Sequence, residues 1–280
     1  MQGENKLKTI TRKTLLYQTG VEYSDYCLNH VQGCSHGCKY PCYAFMMKKR
    51  CGVVKTYEEW LEPKIVENAL ELLDAEIPRY KNKINYVHMC FSTDPFMYEQ
   101  DPVSELSIQI IDKLNQAEKP CSTLTKGLYP RELAKRNGKS KNNRYGITLV
   151  SLDENFRKKY EPNTSAFKDR IKSLKYLHDN GLKTWVSMEP YPTPNFIEQN
   201  LKEILEAVDF VDQIVFGKLN YNAEVSVFKY HKEYYNSLAD YFVGFCKKND
   251  IKYYVKEGTV TSKVKYIDDK VHRELCTSKI

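Results

Sequence analysis

Residues 33–45 read GCSHGCKYPCYAF and carry Cys34, Cys38 and Cys42 with three residues in each gap. Each gap is about one helical turn, so one loop can turn all three sulfurs to the same side. Three soft thiolates are one ligand short of a closed tetrahedral site. The residues between them (Ser, His, Gly, Lys, Tyr, Pro) are poor core material, which argues against buried packing thiols. A zinc ion commonly takes two close cysteine pairs. The other cysteines (Cys27, Cys51, Cys90, Cys121, Cys246, Cys276) are scattered, although His36 or His30 could complete such a site. Short, regular cysteine spacing is the mark of an iron–sulfur cube. Three protein ligands leave one iron open to a cofactor or substrate, and Gly33 and Gly37 allow the backbone to wrap closely.

Around this loop the chain alternates strand and helix. Strands are expected at 26–31, 84–91, 121–125, 145–151, 182–188 and 210–216. Thr56 with Glu59 reads as a helix cap, and a helix is expected to start near Pro63, with Ile65, Ala69 and Leu72 on one face. A helix over 102–115 lines up Leu106, Ile110 and Leu114. PRELAKRNG reads as a short helix stopped by Gly138, and Phe167, Ile171, Leu174 and Leu177 line an amphipathic helix ended by Gly181. Asn195 with Glu198 reads as the next cap. An aromatic-rich helix spans roughly 229–248, and IKYYV adds a peripheral strand. Its tyrosines and lysines could stack bases, but helical spacing favours packing on the outside of the fold. Six strands separated by helices imply parallel βα units and a closed or partly closed barrel, with active residues at the C-terminal strand ends.

The chain has 280 residues and a formal net charge of +7. That balance is compatible with nucleic acid without demonstrating it. Residues 1–20 lack the apolar run of a secretory signal and no apolar run is long enough for a bilayer, so a cytoplasmic location and no membrane partner are expected. Nine cysteines then argue for metal or thiol chemistry over disulfides.

On these residues the chain resembles the radical S-adenosylmethionine (radical SAM) superfamily. NHVQGCSHGCKYPCYAF is similar to the cluster loop of the branch that contains spore photoproduct lyase, with Pro41 as a one-residue insertion. STDPF at 92–96, Glu105, LTKG at 124–127, ITLVSLDE at 147–154 and the stretch 160–182 extend the resemblance in order along the chain. It implies an α/β fold, a partial (β/α)6 TIM-like barrel over 26–225. An N-terminal extension occupies 1–25, and a C-terminal helical and strand extension occupies 226–280.

The resemblance further implies a [4Fe–4S] cluster on Cys34, Cys38 and Cys42 and an oxygen-sensitive enzyme. S-adenosylmethionine would be chelated at the open iron and cleaved by one electron to a 5′-deoxyadenosyl radical that abstracts hydrogen from a substrate. An electron donor such as flavodoxin or ferredoxin is implied as a partner. Tyr40, Thr93, Asp94, Lys126, Ser151, Glu189, Lys218 and Asn220 are the implied cofactor-binding residues. Asp94 could meet the ammonium and Lys126 the carboxylate of S-adenosylmethionine; Ser151 ends the strand where the ribose binds. For Asp94 an Asx-turn before Pro95 competes, and for Lys126 a solvated side chain. Cys90 is the implied hydrogen donor, with a small buried hydrophobe as the alternative. The substrate is a small molecule, a peptide or nucleic acid. A nucleic-acid repair or modification enzyme and a non-catalytic, zinc-containing nucleic-acid-binding protein are the competing readings.

Overall fold

The computed structural model describes residues 7–20, 24–135 and 142–261; Gly138 and Cys276 lie outside them. In chain order the elements begin with β1 (Lys8–Ile10), β2 (Leu16–Gln18), β3 (Tyr26–Leu28), β4 (Val31–Gln32), α1 (Tyr43–Arg50), α2 (Tyr57–Leu61) and β5 (Lys64–Val66). They continue with α3 (Ala69–Tyr80), β6 (Val87–Met89), α4 (Asp101–Gln116), β7 (Cys121–Thr125), β8 (Arg144–Thr148), α5 (Glu154–Tyr160) and α6 (Phe167–Asp179). The chain closes with β9 (Lys183–Tyr191), α7 (Leu201–Glu206), β10 (Gln213–Lys218), α8 (Ala223–Ser226), α9 (His231–Lys248) and β11 (Lys252–Val255).

The main sheet runs β11-β10-β9-β8-β7-β6-β3-β2. Every neighbouring pair is parallel except β2 with β3. Its ends, β11 and β2, do not pair, so the barrel is incomplete. The expected six parallel strands are β3 and β6 to β10. IKYYV adds a seventh in parallel register, Gln213 opposite Lys252, and β2 covers the other edge. Val87 and Met89 face the main core, shared with Leu73 of α3 and Ile110, Ile111 and Leu114 of α4. A smaller cluster of Trp185, Val215 and Tyr254 packs separately. Trp185 lies against Gly146, where a Cβ would come within 2.3 Å of its ring.

Three sequence expectations shift. Residues 26–31 are not one strand: β3 stops at Leu28, and β4 joins β5 and β1 in a separate three-stranded sheet. Pro63 does not start a helix. Lys64, Ile65 and Val66 pair with β1 on one side, and Ile65 and Lys64 pair with β4 on the other, so α3 begins only at Ala69. Two β-branched residues and two available edges outweigh the helical pattern there. Asn195 caps nothing; its side chain accepts from Thr193 and donates to the Glu224 carbonyl, while Asn200 caps α7 through the Lys202 amide. Thr56 does cap α2, accepting from the Glu59 amide. In α9, Tyr235 and Phe242 are buried, as packing required, whereas Tyr230 and Tyr241 are exposed. No helix among the described residues is long and apolar enough to cross a membrane.

Candidate active site

The cysteine loop leaves β4 through Gly33, at φ 90°, and turns again at Gly37, at φ 67°. Both lie in the left-handed region that glycine enters without steric cost. Gly33 also meets a close approach: a Cβ would stand 2.8 Å from the Trp60 carbonyl oxygen. The Cys34 amide donates to that same oxygen at 2.8 Å. On its other side the loop is tied to the turn after α5. Lys39 donates its amide to the Tyr160 carbonyl at 2.8 Å, the Asn163 amide reaches the His36 carbonyl at 3.2 Å, and Asn163 Nδ2 reaches the Ser35 carbonyl at 2.9 Å.

Cys42 stands at the N-cap of α1. Burial pushes its thiol pKa up, against the nearby backbone amides of Phe45 and Ala44, which favour the thiolate. Burial likewise pushes Cys34 and Cys38 up, and each carries further upward pressure from Cys42. As thiolates the three would therefore repel one another, and none is in a disulfide. Among the described residues no three His, Cys, Asp or Glu side chains converge tightly enough for a single metal ion. Three thiols on one loop are the soft donor type that an iron–sulfur cluster takes.

Beneath the loop lies a buried ion-pair network. The Tyr40 hydroxyl donates to Glu161 Oε1. Lys126 Nζ sits 2.9 Å from the same oxygen, and both Arg170 Nη atoms lie 3.3 Å from Oε2. Arg170 is fully buried and also donates to the carbonyls of Thr148 at 2.6 Å and Ser165 at 3.0 Å. Burial alone would raise the Glu161 pKa; Lys126 and Arg170 overcome it and bring it down to about 2. Lys126 also lies 5.7 Å from the centre of the Tyr40 ring.

Asp94, buried, accepts from the Phe96 amide at 2.9 Å, the Thr125 hydroxyl at 2.7 Å and the Lys126 amide at 2.8 Å. The Asx-turn before Pro95 is thus present. His36 Nδ1 lies 3.5 Å from Asp94 Oδ2, while its Nε2 accepts from the Tyr98 amide at 3.0 Å. That pairing fixes the hydrogen on Nδ1. Burial holds the imidazole neutral, its pKa down to about 4.

The loop cysteines, Tyr40, Asp94 and Lys126 therefore form one connected group. Thr93 is turned to the Val31 carbonyl at 3.4 Å. Ser151 accepts the Asp153 amide at 3.0 Å, and Asp153 itself caps α5. Glu189 pairs with Lys256 at 3.0 Å, across the ends of β9 and β11. The Lys218 amide is 3.4 Å from Thr259, and Asn220 is exposed. These last residues sit on the far strands, apart from the loop network.

Cys90 follows β6 in a left-handed conformation, φ 57°, which breaks the strand alternation. His88 bonds Ser122 on β7 at 2.6 Å, whereas Cys90 Sγ lies 3.3 Å from His30 Nδ1. His30 Nε2 lies 2.7 Å from the Ser107 hydroxyl, which donates to the Pro95 carbonyl. Nε2 therefore carries the hydrogen, and Nδ1 accepts from the Cys90 S–H. Burial pushes the thiol pKa up to about 12.

Sequence reasoning missed Glu161, Arg170 and Tyr43. Arg170 did carry a signal, a cation three residues after Phe167 and four before Leu174, on the apolar stripe of α6. A charge in that position needs a buried partner. Tyr43 donates to the Phe91 carbonyl. Its ring packs edge-on against Phe91.

The model for the Radical SAM superfamily matches residues 28–211. An uncharacterized protein of Methanocaldococcus jannaschii is 26% identical over 271 residues, 95% of this chain and 97% of that protein. An uncharacterized protein of Acidianus two-tailed virus is 27% identical over 216 residues, 71% of this chain and 69% of that one. Among solved structures, spore photoproduct lyase complexed with dinucleoside spore photoproduct superposes with a TM-score of 0.64 at 16% identity, covering 89% of this chain and 81% of that one. SuiB of Streptococcus suis bound to S-adenosylmethionine superposes at 0.56 and 14% identity, covering 82% of this chain and 49% of that one. At these identities the two structures share the fold with this chain.

Proposed function

We propose that this chain, which belongs to the radical SAM superfamily, is an enzyme that holds a [4Fe–4S] cluster on Cys34, Cys38 and Cys42 and cleaves S-adenosylmethionine reductively. The observation that carries the reading is the three-thiol loop, shaped by two left-handed glycines at the mouth of an incomplete parallel barrel. Cluster and S-adenosylmethionine together would supply a 5′-deoxyadenosyl radical for hydrogen abstraction. The chain's own residues hold and orient. Cys42, at the start of α1, meets two amides that favour its thiolate. Tyr40, Thr93, Asp94, Lys126, Ser151, Glu189, Lys218 and Asn220 are the groups assigned to the cofactor. Lys126, 2.9 Å from Glu161, is the group placed to meet the carboxylate of S-adenosylmethionine. Cys90 is assigned the return of hydrogen to the substrate: a thiol with its pKa up to about 12 stays S–H at neutral pH. The electron comes from an external carrier of flavodoxin or ferredoxin type.

Anaerobic reconstitution should load about four irons per chain. Reduction by dithionite should then yield 5′-deoxyadenosine above a Cys34→Ala control. Zinc in place of iron in an iron-supplied preparation, or no product from the intact cluster, overturns the reading.

A nucleic-acid substrate is a second reading. Tyr221 and Tyr230 are 76% and 56% exposed after β10, and Lys229 lies 5.2 Å from the Tyr230 ring centre. Exposed aromatics beside lysines suit base stacking and phosphate contact. The fold is shared with a lyase complexed with a dinucleoside. Salt-sensitive binding of a labelled oligothymidylate, weakened in Tyr230→Ala, supports it; equal binding by that variant removes it.

A further inference from the structure

The support under the cysteine loop carries more charge than positioning requires. The loop is already fixed by backbone bonds to Trp60, Tyr160 and Asn163. Buried ion pairs seldom outdo apolar packing of the same volume. Yet Glu161 and Arg170 are each fully buried, Asp94 nearly so, and the Lys126 side chain is only 15% exposed. Formally the four charges cancel. Two are tied to the loop itself: Glu161 through the Tyr40 hydroxyl, and Asp94 through His36. Lys126 links both, its amide on Asp94 and its ammonium on Glu161. Without the ammonium, one net negative charge would face the cysteine loop from a poorly solvated interior, where screening is weak.

We propose that Lys126, held by Glu161, which Arg170 also pairs, sets the reduction potential of the cluster by balancing the buried carboxylates tied to the cysteine loop. The inference rests on the iron–sulfur reading above. Reduction adds an electron to a site already rich in thiolate charge. A fixed cation nearby stabilises the reduced form, and a fixed anion opposes it; net charge is one of the levers that tunes such clusters. The sign is thus set for each residue. Removing Lys126 makes the cluster harder to reduce, and neutralising Glu161 makes it easier.

The test is a redox titration of the reconstituted protein, followed by the electron paramagnetic resonance of the reduced cluster, without S-adenosylmethionine. Lys126→Met should lower the reduced-to-oxidised ratio at fixed potential about tenfold, equivalent to about 59 mV for one electron. Lys126→Arg should restore it. Glu161→Gln should shift it the opposite way. General loosening of the loop would not produce opposite signs from two partners of one ion pair. No shift in either variant, or shifts of the same sign, overturns the proposal. If Lys126→Met loads no cluster, the sign of the Glu161→Gln shift decides. Iron content of the unmodified protein reports separately on the iron–sulfur reading.

Discussion

Gly127 stands directly after Lys126 in the chain, and a Cβ there would fall 1.8 Å from the Phe96 carbonyl oxygen. That oxygen is main chain and cannot swing aside. Gly127→Ala should therefore destabilise by about 3 kcal/mol, at the upper end for overpacking, read as a lower urea midpoint. Gly244, in α9, would place a Cβ in open space, with nothing within 4 Å. Gly244→Ala should raise stability by about 1 kcal/mol through helix propensity. If both variants behave alike, close packing at Gly127 is not what its glycine serves. Cys90 is the other residue-scale case. Cys90→Ala should keep the cluster and form 5′-deoxyadenosine, yet alter the final product. Cys90→Ser should do the same, since its stronger O–H bond replaces S–H at nearly equal size. Normal product from both would leave Cys90 as a packing thiol held by His30.

At the scale of elements, β2 pairs with β3 on one side and is also tied down by one side chain on α3. Glu76 accepts the Leu15 amide at 3.0 and 3.1 Å and the Leu16 amide at 2.7 Å. Both amides are buried, so losing the carboxylate leaves them unpaired at a cost of about 1–3 kcal/mol each. Glu76→Ala should speed hydrogen exchange at Leu15 and Leu16 by about tenfold or more, while amides of β8 and β9 keep their protection. Uniform acceleration across the sheet would mean that β2 is not a separately held edge. Nothing in the local pattern of α3 announces this tie, because Glu76 lies in a helix that reads as ordinary amphipathic sequence. The partner residues are 60 and 61 positions away.

For the whole molecule the buried histidines set an acid limit. Burial holds His30 down to about 3 and His88 down to about 4. In the unfolded chain each titrates near about 6.5. Between about pH 6.5 and 4 the unfolded state therefore binds protons that the native state refuses, so stability falls as pH falls, by up to about 1.4 kcal/mol per pH unit for each histidine. Glu161, whose pKa is about 2 in the fold, extends the loss below about pH 4.5, as its unfolded form protonates first. Urea midpoints measured across this range should decline, and His88→Gln should flatten the upper part of the slope. A flat profile from about pH 6.5 to 4 would contradict the buried neutral state.

Local sequence was enough to determine the cysteine loop, the alternation of strands and helices, and an α/β barrel of parallel units. Each rests on short-range regularities: cysteine spacing, glycines at turns, and apolar periods of about two and 3.6 residues. That the barrel is left incomplete was implied by the family resemblance and shown by the sheet order. The strand limits around Leu28 and Pro63 were decided by tertiary structure, because available sheet edges override helical spacing there. So was the buried network of Tyr40, Lys126, Glu161 and Arg170. Tyr40 and Glu161 alone lie 121 residues apart, and only folding brings such groups into a medium where one charge demands another. The sulfur of Cys90 likewise takes its direction from a left-handed residue and from His30, 60 positions earlier, a juxtaposition that no spacing along the chain encodes.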